Sequence, residues 1–233
     1  MTPLGFSFAF ALLLAPPSPP SAAPAGPPLI CHPFEIGDAR SLPWDAKDGA
    51  RPDYDKKRLA ADVAEILKTE ENLIVRMETL RRAACYVGRD RALAWELLGR
   101  SGLMVLEQDV VGSKESSAWF DTGFLAACFD QLGVDLGFRA GVAEGTEGYA
   151  YLLRALESAR REGSDHIATI EFATSLALLP LAYRGTPTAQ DRERYERHLE
   201  AARHGAGPGS LLERNLISHT ERFGEHAAKK SSG

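Results

Sequence analysis

Three observations predict an all-α protein. From Tyr54 onward apolar residues recur every three or four positions, the period of a helix with one buried face. Gly88, Gly133, Gly163 and the Gly205–Gly209 stretch interrupt these runs where helices would end. The short alternation Val134, Leu136, Phe138 is the nearest thing to a strand, and it lies in the Gly-rich segment 134–146. The expectation is about eight helices stacked as antiparallel hairpins, a solenoid or an irregular bundle, behind an extended N-terminal arm.

The N-terminal 25 residues read as an address. Phe6 to Ala15, FSFAFALLLA, has the length of a signal-peptide core and is too short to span a bilayer. Ala23-Pro24-Ala25 offers small residues to a signal peptidase, which places cleavage near Ala25, with Ala15 as an earlier alternative. The start MTPLG carries no Lys or Arg, so the usual basic n-region is missing. A secreted or periplasmic protein is expected, with no transmembrane segment once the leader is removed; the alternative is a Pro/Ala-rich leader on a cytoplasmic protein. With 44% hydrophobic and 25% charged residues, the remainder suits one globular domain. A net charge of -5 argues against a nucleic-acid partner, which would call for a basic face.

Residues 26–53 form the arm. Phe34, Ile36, Leu42 and Trp44 are spaced like anchors on an extended chain laid across a helical body, with Phe34 and Trp44 the principal candidates. The helical domain covers 54–226, and 227–233 is a fraying tail. Asp53 is placed to cap a first helix reaching Thr69, with Leu59, Val63, Ile66 and Leu67 inward. A second, Glu71 to Val87, shows Ile74, Met77, Leu80 and Ala84, and Gly88 ends it. Asp90 opens a third that closes near Gly102. Ser117 opens a fourth, whose Trp119, Phe120, Phe124 and Phe129 give it the heaviest apolar load, ending at Gly133.

A fifth helix runs from about Thr146 to Arg161. The segment GSDHIATIEFATSLALLP, Gly163 to Pro180, is the expected centre of the fold. Ser164 or Asp165 can cap it, its apolar residues cover most of the circumference, and Pro180 is expected to stop it. Thr188 begins a polar helix, AQDRERYERHLEAAR, and Ser210 caps the last, LLERNLISHTERFGEH.

Within 146–180, Gly163, Ala168, Phe172 and Pro180 follow the spacing of the second half of a tetratricopeptide unit, and this segment resembles one. Leu156 departs from that pattern, standing where the repeat has a small residue. With CHPFEIGDARSLPW, VRMETLRRAA, WFDTGFLAACF, GYAYLLRAL and RNLISH, the chain is also similar to uncharacterised exported helical proteins of bacteria. That resemblance implies no activity and no site residues.

Cys31, Cys85 and Cys128 have no CxxC spacing, so zinc and redox frameworks are not expected. Either one pair, Cys31 with a helical partner, is a disulfide, or Cys85 and Cys128 are buried small hydrophobes. Nucleotide, zinc-protease, α/β-hydrolase and calcium motifs are absent, and no cofactor or metal is expected. His219 and His226 share one helical face and could collect a surface metal. His166 and Glu171 lie roughly 140° apart around their helix and cannot readily grip one ion. Glu171 on an apolar helix needs a partner, for which Arg81 or Arg82 is available. Asp121, among aromatics, could be a carboxylate with a raised pKa.

Two functions follow as expectations. The first is a non-enzymatic, exported protein-interaction or envelope-associated module. The second is an enzyme or small-ligand binder with an interhelical pocket at Asp121, His166 and Glu171.

Overall fold

The computed structural model describes residues 28–47, 49–100, 115–134, 147–184 and 188–230, without the side chains of residues 28, 180–184 and 222–230. The leader with its cleavage site, the end of the third helix near Gly102, the alternating residues Leu136 and Phe138, the side chain of His226 and residues 231–233 lie outside this description.

The protein is all-α. A short helix α1 (Pro28–Cys31) opens the arm, and a 3-10 turn (Lys56–Arg58) leads into α2 (Leu59–Thr69). Then come α3 (Leu73–Val87), α4 (residues 91–100), α5 (Glu115–Leu132) and α6 (Glu147–Glu162). The chain continues through α7 (Ile167–Arg184), α8 (Ala189–Gly205) and α9 (Leu211–Lys230). Among the described residues, β structure amounts to one isolated bridge between Asp45 and Gly49 in the arm.

Side-chain caps open α3, α4, α8 and α9. Asn72 Oδ1 accepts from the Ile74 amide, Asp90 Oδ1 from Ala92 and Leu93, and Ser210 Oγ from Glu213. Thr188 and Asp191 form a reciprocal capping box at α8. Ser164 Oγ accepts the amide of His166 just before α7.

Two expectations are corrected. Asp53 is not the cap of the first helix, because its carboxylate is held by the Arg51 guanidinium; Asp55 accepts the Lys57 amide and starts the 3-10 turn instead. Pro180 does not stop α7, which continues to Arg184. A proline removes only its own donor, here the bond to the Leu176 carbonyl, and the buried run Leu176 to Leu179 holds the turn beneath it.

The core is continuous from the arm to α9. α5 packs along α6, α7 along α8, and α3 and α7 both reach α5. The α5–α6 crossing is close because it is lined by glycine. A Cβ on Gly148 would stand 2.5 Å from the Ala127 nitrogen, and one on Gly123 would stand 2.8 Å from the Leu152 nitrogen. The aromatic load of α5 is inside, with Phe120, Phe124 and Phe129 fully buried.

Candidate functional site

Among the described residues, the buried carboxylates Glu78, Asp121 and Glu171 each centre a separate polar cluster. In the first, α3 carries Glu78, Arg81 and Arg82 at the i, i+3, i+4 spacing that puts side chains on one face. Glu78 is fully buried, and its Oε2 accepts from Arg81 Nε at 2.7 Å. Its Oε1 accepts from Arg81 Nη2 at 2.8 Å and from Arg82 Nε at 2.7 Å.

The same cluster grips the arm through backbone atoms. The Phe34 amide donates to Glu78 Oε2 at 3.0 Å, Arg81 Nη1 donates to the Ile30 carbonyl at 2.8 Å, and Arg82 Nη1 to the Leu42 carbonyl at 2.6 Å. Tyr86 on α3 donates to the Pro43 carbonyl, and Gln131 on α5 accepts the Leu29 amide. At the far edge Asn215 on α9 accepts the Glu35 amide and donates to its carbonyl, both at 2.9 Å, as a neighbouring strand would. An extended segment has no internal partners for these groups, so the body must supply them.

The expected anchors sit on this track. Phe34 meets Phe124 and Phe172 edge-on, with centroids 6.0 and 6.3 Å apart. Trp44 lies under the Arg81 guanidinium, 4.6 Å from its carbon to the ring centre, and packs edge-on to Tyr86. Ile36 and Leu42 are buried.

The second cluster joins three helices through Arg76. Its guanidinium forks onto both oxygens of Asp121 on α5, while Nη1 donates to the Leu67 and Glu70 carbonyls at the end of α2. Those carbonyls have no intrahelical donor, so the arginine closes the helix end as well as the ion pair. Burial pushes the Asp121 carboxyl above its ordinary range, and the Arg76 charge opposes that push.

The third cluster lies between α6, α7 and α8. Glu171 Oε1 accepts from Arg160 at 2.8 Å, and its Oε2 lies 2.5 Å from His198 Nδ1. His198 Nε2 is 3.3 Å from the Tyr149 hydroxyl. Nδ1 is the ring nitrogen placed to donate to the Glu171 carboxylate, and Nε2 is the one that meets the tyrosine. The order carboxylate, imidazole, hydroxyl could pass a proton. However, burial raises the Tyr149 hydroxyl above its ordinary pKa, which makes it a poor nucleophile.

The structure therefore separates the three residues suggested as a pocket. Asp121 belongs to Arg76 and α2, and Glu171 belongs to Arg160 and His198. His166 stands at the start of α7, partly exposed, with Asp165 at 3.7 Å. The partner suggested for Glu171 is also corrected: Arg81 and Arg82 are held by Glu78 on their own helix. Glu78, Arg76 and His198 escape a reading of sequence alone, since a Glu with arginines three and four residues on resembles an ordinary solvated pair.

His219 is buried and its Nε2 lies 2.8 Å from the Tyr195 hydroxyl, so it faces the interior rather than presenting a surface site. The thiols of Cys31, Cys85 and Cys128 are free, with Cys31 exposed, Cys85 partly covered and Cys128 buried. Among the described residues no three His, Cys, Asp or Glu are placed to hold a metal ion, and no helix is long and apolar enough to cross a membrane. The chain matches no protein-family model, no curated protein and no solved structure.

Proposed function

We propose that the protein is an exported, non-enzymatic helical module that works by contacting other proteins in or near a bacterial envelope. What carries this reading is the use made of its buried carboxylates. Glu78, Asp121 and Glu171 each cross-link elements through guanidinium or imidazole groups, an arrangement suited to holding a shape. The pairing of α5 with α6 and of α7 with α8 supports a hairpin-stacked, tetratricopeptide-like organisation. The arm seals the helical body rather than projecting from it, which directs any partner to the outer faces, where Trp95, Leu153 and Ile217 are exposed.

A second reading, an enzyme or small-ligand binder, draws on the Glu171, His198 and Tyr149 chain between α6, α7 and α8, since Asp121, His166 and Glu171 do not come together. One experiment addresses the first reading directly. A photo-cross-linking amino acid is placed at Trp95, Leu153 or Ile217 in intact cells, followed by fractionation and N-terminal mass analysis. Discrete adducts with an envelope protein from one of these faces, on a processed chain, are the expected result. Unprocessed chain in the cytoplasm with no adduct at any position overturns the proposal.

A further inference from the structure

The arm and α3 meet where the Arg81 guanidinium reaches both the backbone next to Cys31 and the thiol of Cys85. Arg81 Nη1 donates to the carbonyl of Ile30, the residue before Cys31, and the same nitrogen stands 3.8 Å from Cys85 Sγ. Cys31 ends the exposed side of α1, and Cys85 lies partly covered one turn beyond Arg81 on α3. From this geometry we infer that Cys31 and Cys85 form a disulfide that latches the arm onto α3 when the protein meets a disulfide-bearing oxidant.

The chemistry is thiol–disulfide exchange. The exposed Cys31 thiolate attacks one sulfur of the oxidant disulfide and forms a mixed disulfide with it, while the S–S bond breaks and the other sulfur leaves as a thiolate that takes up the proton Cys31 has lost. Cys85, as its thiolate, then attacks the Cys31 sulfur of the mixed disulfide and expels the second oxidant thiol, which takes up the Cys85 proton. Two protein thiols are oxidised and one oxidant disulfide is reduced to two thiols. Burial holds the Cys85 thiol above its ordinary pKa, with Glu78 and Cys31 adding to the rise, and the Arg81 charge beside Sγ opposes it. Cys128 is the third thiol of the neighbourhood, but it is fully enclosed on α5 and burial holds it well above the ordinary thiol range, so the oxidant cannot enter through it.

The latch closes a loop containing the arm from Cys31 onward, α2 and most of α3. It thereby restricts the unfolded chain and adds a covalent tie to a segment held by hydrogen bonds and apolar anchors. The inference is independent of whether the module has a partner. It operates in an oxidising compartment and stays open where glutathione keeps thiols reduced.

The test uses the purified full chain equilibrated with mixtures of reduced and oxidised glutathione. Intact mass, peptide mapping and hydrogen exchange are read before and after. Expected are the loss of two thiols, a peptide linking Cys31 to Cys85, an unmodified Cys128, slower amide exchange across residues 29–44 and a thermal midpoint higher by several degrees. Cys31→Ser, at an exposed position, should abolish both the link and the shift while folding as before. A chain that stops at a glutathione adduct on Cys31, links through Cys128, or gains its midpoint shift even with Cys31→Ser overturns the inference.

Discussion

Phe34 donates its backbone amide to the Glu78 carboxylate at 3.0 Å, so the middle of the arm hangs on a side chain with no exposure to water. That carboxylate also neutralises Arg81, itself 1% exposed. Removing its charge would leave a buried guanidinium uncompensated, a situation far more costly than the pair is favourable.

Glu78→Gln is therefore expected to lower stability by about 3–5 kcal/mol, while the amides of residues 29–44 lose protection before those of α5. Urea unfolding with hydrogen exchange checks it. An unchanged midpoint with an intact arm would show that the arm is held by its apolar anchors alone.

Arg76 and Asp121 permit a finer separation. Asp121→Leu and Arg76→Met each break a buried fork and should each cost about 3–5 kcal/mol. Joining Arg76→Met with Asp121→Leu removes both charges, which elsewhere is often close to neutral. Here recovery should be partial, because the Leu67 and Glu70 carbonyls at the end of α2 lose their donor whenever Arg76 is replaced. A double-mutant cycle by urea unfolding measures the coupling, and full recovery would mean that water satisfies those carbonyls equally well.

These two clusters also mark where sequence reading succeeds and where it stops. Caps at Thr188 and Ser210 are legible because a cap bonds to its own helix, a few residues away. The anchoring of Phe34 and Trp44 is legible because apolar residues in a loop without period must find cover. Partners across helices are not legible. Glu171 takes His198 from α8, a helix whose charge pattern reads as solvated, and Arg160 from the end of α6. The continuation of α7 through Pro180 is hidden for a similar reason, since local propensity opposes it and tertiary packing decides.

Gly148 tests the closeness of the α5–α6 crossing. Its missing side chain lets the α6 backbone approach Ala127, and an added methyl would press on backbone atoms that no rotamer change can move. Gly148→Ala should destabilise by about 2–3 kcal/mol despite the better helix propensity of alanine. Thermal unfolding checks it. A stabilised variant would show that α6 shifts along α5 without cost.

Glu147, in the first turn of α6, couples this crossing to pH. Burial raises its carboxyl from 4.5 to about 7, with the nearby charge of Asp130 adding to the effect. The folded state then holds this proton more tightly than the unfolded chain, so stability must fall as pH rises between those two values. Below about pH 4.5 the group is protonated in both states and contributes nothing; above about pH 7 the full penalty applies. The positive end of the α6 dipole offsets part of that penalty, as does the water that reaches this partly exposed side chain. Glu147→Gln should consequently match the parent near about pH 4 and exceed it by on the order of 1 kcal/mol near about pH 8.5. Urea unfolding of both proteins at the two pH values decides it, because a pH-independent difference would trace to lost contacts rather than to the ionisation.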